Sequence, residues 1–223
     1  MKILILAAMD KELDLLLNLL RDIKTAQREG ISIHEGKIGE NIVAVAKCGI
    51  GKVNAAINTQ LLLNFLKPDL VINSGVAGGA GIPIASVLIA DRVAYHDVWC
   101  GPGTNYGQAD GIPLFLIPSA EILTLANEID SELSFGLICS GDKFISTPEE
   151  IRDIRSHFPE VCAVDMESAS IAQVCFMTST PFAVIRVVSD TPGEGENITQ
   201  YQNFWKEAPE KTFHVLSTLL KKI

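Results

Sequence analysis

Three segments of this chain are apolar at successive positions rather than at alternate ones: Ile3 to Leu6, Leu70 to Ile72, and Phe182 to Val188, which only Arg186 interrupts. A strand with one solvated face alternates apolar and polar residues, so unbroken runs belong in a sheet covered on both sides. Between such runs the spacing becomes helical. Leu13, Leu16, Leu17 and Leu20 follow the first, with Asp10 placed to cap them, and Lys67-Pro68 closes a helix that begins after Gly49-Ile50-Gly51. Strands alternating with helices predict an α/β fold: a three-layer sandwich whose central sheet is mixed, mostly parallel, and flanked by helices. With 223 residues, 48% of them hydrophobic, and no linker, repeat or low-complexity stretch, residues 1–223 read as a single domain.

Other elements follow from local signals. Residues 31 to 47 alternate around Gly39-Glu40-Asn41, as a hairpin does, and Ser86 to Tyr95 reads as a strand. Ser146-Thr147-Pro148-Glu149-Glu150 opens a helix reaching about His157, Val161 to Asp165 a strand, and Met166 to Met177 a helix. Residues 99 to 113 form a long Gly- and Pro-rich loop, and 191 to 199 a polar one. Tyr201 to Lys222 reads as one amphipathic helix with Pro209 near its middle.

Charge and composition exclude several classes. Lys and Arg total 18 against 27 Asp and Glu, a net charge of -9 with no basic run, which argues against nucleic-acid binding. Apolar runs are broken well short of the roughly 20 residues a membrane span needs. The opening MKILILAAM is followed at once by Asp10, Lys11, Glu12 and Asp14, so it reads as a core strand rather than a signal peptide. Cys48, Cys100, Cys139, Cys162 and Cys175 show no CxxC pairing, sit mostly within apolar runs, and read as reduced core thiols of a cytoplasmic protein. His96-Asp97 has no third ligand at usable spacing, so no metal is expected. Gly49-Ile50-Gly51 only imitates a dinucleotide fingerprint, since Asn54 stands where its third glycine belongs.

Three acids stand just beyond strand-like runs: Glu12, Glu167 and Asp190. Ligands of α/β sheets bind at the carboxyl ends of strands, so acids delivered there from distant positions can converge on one molecule. Glycosyl transfer uses such a set. Carboxylates stabilise an oxocarbenium-like sugar, a departing base needs a proton, and an attacking water needs an acceptor. Taken singly, each acid is equally an ordinary helix-terminus or turn residue.

In order, AAMDKEL, CGIGKVNAA, INSGVAGG, YHD with YGQADGIP, SGDKFI, VDMES and VVSD closely resemble the signature segments of the 5'-methylthioadenosine/S-adenosylhomocysteine nucleosidases, along the whole chain. That resemblance implies a nucleoside phosphorylase-like fold and hydrolysis of the N-glycosidic bond of a 5'-thioadenosine, without a cofactor. It makes Asp190, oriented by Ser189, the acid that protonates the base. Glu167 becomes the acceptor for the ribose hydroxyls, with Met166 packing on the sugar, and Glu12 the residue that holds the water. Asp165 stands where relatives often carry Glu and reads as exposed or behind the site.

The resemblance further implies that Phe144 and Ile145 enclose the base, and that Val76, Ala77 and Gly78 line the base and water sites. Met9 and Ile50 would wall the 5' pocket, and Tyr201 would cover it. Val76 departs from relatives with Ser there, which leaves the water to Glu12 and Arg186. Arg186 is expected to pair with Glu12 or Glu167, because an unpaired buried guanidinium is costly. Trp99, Tyr106 and Pro113 would complete the 5' pocket of a partner subunit in a homodimer. Phosphorolysis by the same fold, a nucleosidase for another purine nucleoside such as futalosine, and a nucleoside-binding protein without turnover are the alternatives. Hydrolysis is favoured because Ala7 to Leu17 offers only Lys11 for holding phosphate.

Overall fold

The computed structural model describes residues 1–129, 133–207 and 209–223, with side chains outside 207–214. Its centre is a nine-stranded mixed sheet: β1 (Lys2–Ala7), β2 (Arg21–Arg28), β3 (Ile31–Ile38), β4 (Asn41–Lys47), β5 (Leu70–Gly79), β6 (Val87–Tyr95), β7 (Ser134–Ser140), β8 (Val161–Asp165) and β9 (Phe182–Asp190). The order is β2-β3-β4-β1-β5-β8-β7-β6-β9, and β5 also pairs with β9. The last five strands therefore close on themselves, so that part of the sheet has no free edge.

Helices cover this sheet: α1 (Asp10–Leu17), α2 (Lys52–Leu66), α3 (Ala120–Ile129), α4 (Pro148–His157), α5 (Ser168–Met177), α6 (Asn197–Glu207) and α7 (Pro209–Lys222). The apolar strands are buried on both faces as their composition requires. Leu4 and Leu6 of β1 pack into a core shared with α2 and α5, while Ile3 and Ile5 pack against α1, α3 and α7. The hairpin at Gly39 is β3–β4, and Thr147 caps α4 by accepting from the Glu150 N–H.

Several boundaries differ from the expected ones. The strand expected over 70–72 runs on to Gly79, because its small residues pair in parallel with β9 from Val71 through Gly78. Met9, not Asp10, is the N-cap of α1, and Leu20 is buried beyond the helix end. The polar loop after β9 ends early, since α6 starts at Asn197. The expected terminal helix is two helices, with Pro209 opening α7, where its missing N–H breaks no helical bond. Residue 208, which a continuous helix would include, lies outside the described residues. Strands β2 and β7 and helix α3 were not expected. Of the cysteines expected in the core, Cys48, Cys139 and Cys175 are buried, but Cys162 is half-buried and Cys100, in the Gly- and Pro-rich loop after β6, is exposed.

Candidate active site

The loops after β1 and β8 and the ends of β5 and β9 bound a cavity of about 180 Å³. Its walls bring together Glu12, Glu167, Asp190, Met9, Ile50, Val76, Ala77, Gly78, Phe144, Ile145, Met166, Ser189 and Tyr201. Ala8, Lys143, Val164, Asp165 and Pro192 also line it. Arg186 lies behind this surface, 2% exposed.

Glu12 sits in the first turn of α1 but turns back toward β1. Its Oε2 accepts from the N–H groups of Ala8 (2.9 Å) and Met9 (3.1 Å), and its Oε1 from that of Val76 (3.0 Å). This approach depends on Gly75: a Cβ there would lie 2.5 Å from Oε1. Burial raises the Glu12 pKa, opposed by the nearby Arg186 charge and by the three backbone donors.

Glu167 is the N-cap residue of α5 and is 7% exposed, which removes the view of it as a solvated first-turn acid. Its Oε1 accepts from the Gly51 N–H at 2.9 Å, where a φ of 88° suits glycine. Burial first, then the negative charge of Asp165, pushes its pKa up to about 7.

Asp190 ends β9. The β5–β9 register pairs Ala77 with Val188 and then Gly78 with Asp190, leaving Ser189 as an extra residue. Successive residues of a regular strand face opposite sides, yet Ser189 and Asp190 both line the cavity, an arrangement that this bulge permits. Ser189 Oγ donates to Asp190 Oδ1 at 2.7 Å, and Asn197 Nδ2 donates to Oδ2 at 3.1 Å. Burial raises the Asp190 pKa against those two bonds.

Arg186 does not pair with Glu12 or Glu167. Its Nε lies 2.9 Å and its Nη2 2.8 Å from Oδ2 of Asp165, and Nη2 also donates to Ser168 Oγ. Asp165 is therefore buried rather than exposed, and accepts from both Ser140 and Ser168. With Arg186 paired to Asp165, burial outweighs the pull of the guanidinium on Glu12 and Glu167, and it raises the pKa values of Glu12, Glu167 and Asp190 alike. A site holding both carboxylate and carboxylic acid near neutral pH can accept one proton while donating another.

The remaining wall is apolar and aromatic. Tyr201 packs edge-on against Phe144 at 5.8 Å, and its hydroxyl contacts Met9 Sδ at 3.3 Å. Among the remote residues, Trp99 is 60% exposed and Pro113 is exposed. Tyr106 instead stacks on His157 at 3.7 Å and donates to the His96 carbonyl. Asp97 is taken up by Lys52 at 2.7 Å. Sequence reasoning missed Asn197, a lone asparagine in a polar stretch with no local signal of its role.

The family model of the phosphorylase superfamily matches residues 2–221. A 5'-methylthioadenosine/S-adenosylhomocysteine nucleosidase of Lysinibacillus sphaericus (strain C3-41) is 38% identical, covering 100% of this chain and 99% of its own length. The structure of the corresponding nucleosidase from S. pneumoniae with a transition-state inhibitor, MT-ImmA, is 37% identical with a TM-score of 0.94, over 99% of each chain. A futalosine hydrolase mutant of Helicobacter pylori strain 26695 is 28% identical with a TM-score of 0.92, over 100% of this chain and 99% of that one.

Proposed function

Since this chain belongs to the phosphorylase superfamily, and within it to the 5'-methylthioadenosine/S-adenosylhomocysteine nucleosidases, we propose that it hydrolyses the N-glycosidic bond of methylthioadenosine and adenosylhomocysteine, and of 5'-deoxyadenosine. The products are adenine and the 5-thioribose, or 5-deoxyribose from the last substrate. The observation that carries this reading is the convergence of Glu12, Glu167 and Asp190 on one apolar-walled cavity.

Each acid has a part. Asp190, whose pKa burial raises, gives its proton to N7 of the base, so the C1'–N9 electron pair leaves with a neutral adenine. Glu167 accepts from the ribose 2'- and 3'-hydroxyls, and its charge favours the cationic sugar. Glu12, held by three backbone N–H groups, orients the water and takes its proton as oxygen bonds to C1'. Phe144 and Ile145 enclose the base, Met166 meets the sugar, and Met9, Ile50 and Tyr201 wall the 5' substituent. With Val76 in place of a serine, the water relies on Glu12.

Water rather than phosphate is the nucleophile because the cations near the cavity are engaged. Arg186 is bound to Asp165, Lys143 to Glu150, and Lys11 lies over the Trp205 ring. Three buried acids would also repel an anion.

Residues 1–223 act as one nucleoside phosphorylase-like domain in a cytoplasmic homodimer that serves methionine salvage. Supporting the dimer, Val53 and Ile57 of α2 and Phe176 and Met177 of α5 are exposed, beside a groove bordered by Tyr95 and Val98. Trp99 and Pro113 would reach the partner's 5' pocket. Among the described residues, no helix is long and apolar enough to cross a membrane.

Methylthioadenosine incubated with and without phosphate tests the function. Adenine and free methylthioribose are expected in both buffers. Release only with phosphate, as the sugar 1-phosphate, would make the protein a phosphorylase. No release in either would point to another nucleoside such as futalosine, or to a binding protein.

A further inference from the structure

Asn197 opens α6, is 3% exposed, and directs its side chain away from its own helix. Its Nδ2 lies 3.1 Å from Asp190 Oδ2 and 3.0 Å from the carbonyl oxygen of Ile145. A carbonyl only accepts, so the NH2 end of the amide must face both groups, one hydrogen to each. We propose that Asn197 is a positioning residue for base protonation, holding the Asp190 carboxyl toward the leaving base and making that geometry depend on the seating of α6.

The inference rests on the nucleosidase reading above. Ser189 holds one oxygen of Asp190 and Asn197 the other, so both edges of the carboxyl are tied. When the proton passes to the base, the C–N electron pair leaves with the base and Asp190 becomes a buried carboxylate. Both donors then face the charge that the step creates, which makes them worth more after transfer than before.

The bond to Ile145 extends this hold to the loop that carries Phe144. Tyr201 stands one helical turn after Asn197, on the same side of α6, with its hydroxyl on Met9 Sδ and its ring against Phe144. The helix that sets the donor on the acid therefore also sets Tyr201 in the cavity wall.

The test compares wild type with Asn197→Ala and the near-isosteric Asn197→Asp, which keeps the side-chain volume should the alanine variant unfold. Two substrates are used: methylthioadenosine, and the p-nitrophenyl glycoside of 5-methylthioribose, whose leaving group departs without a proton. Both variants are expected to lose about 10²-fold in kcat on methylthioadenosine while staying within a few-fold of wild type on the p-nitrophenyl substrate. The alkaline limb of kcat should also move to higher pH in both, because removing a donor to the ionised form, or adding a like charge, raises the acid's pKa. Equal losses on both substrates, or an unmoved alkaline limb, would reduce Asn197 to a structural pin and overturn the proposal while leaving the nucleosidase reading intact. A wild type unable to cleave methylthioadenosine would overturn both.

Discussion

Arg186 is bound to Asp165, with Nη2 2.8 Å from Oδ2 and each side chain only 2% exposed. The guanidinium that lies behind the cavity is thereby neutralised by an acid outside the proposed proton-transfer chain, and its field reaches Glu12 and Glu167 in weakened form. Asp165→Asn would leave that charge without its carboxylate, and breaking a buried pair from one side costs about 3–5 kcal/mol. Urea unfolding would show the loss. The freed field should also lower the pKa of Glu12 and Glu167, moving the acidic limb of kcat to lower pH; an unchanged limb would mean the pair is purely structural.

Folding stability should depend on pH through Glu167. Its pKa rises from 4.5 to about 7 on folding, so the folded state binds the proton more tightly. That contribution is fully present below pH 4.5 and is lost as pH rises through 7. At about 1.4 kcal/mol for each tenfold change in proton affinity, this contribution is on the order of a few kcal/mol. Denaturant midpoints of wild type and Glu167→Gln across pH 4 to 8 check this: the variant should lack that part of the slope, and parallel curves would refute it.

Asp190→Asn keeps the shape of the acid and removes its proton. Turnover of methylthioadenosine should fall by about 10²- to 10⁴-fold, with nucleoside binding by calorimetry retained. Near-normal turnover would remove Asp190 from the role of general acid.

Gly75→Ala places a methyl group 2.5 Å from Glu12 Oε1. Glu12 must move, which should lower kcat by about 10²-fold, and overpacking should destabilise the fold by about 1–3 kcal/mol. Steady-state kinetics with a thermal melt separates the two. A variant with wild-type kcat would show that the water does not depend on this placement of Glu12.

Much of this was legible in the sequence because the signals are local. The unbroken apolar runs mark β1, the start of β5, and β9, and the acids that follow β1 and β8 and close β9 converge on one cavity as the strand-end argument requires. The partner of Arg186 was misassigned because the candidate carboxylates look alike in sequence, and only the adjacency of β8, β5 and β9 brings Asp165 within reach. β2 gave no period to read, since Arg21 to Arg28 are all exposed. β7 was overlooked although Phe135 to Cys139 is a short apolar run of the kind recognised elsewhere, and Ile122 and Ala126 of α3 already stood at helical spacing. Asn197 was beyond reach, because its meaning depends on where α6 seats.

The extra residue in β9 sets the proposed acid site and sheet regularity against each other. Removing one residue between Val188 and Thr191 would let the ladder with β5 continue without a break, and a tidier strand is ordinarily a sturdier one. It would also leave a single side chain where the acid and its hydroxyl partner now stand together. Point substitutions in β9 can be compensated by repacking, whereas losing one residue turns every later side chain to the other face, so selection for sturdiness alone would tend to erase the proposed acid site here.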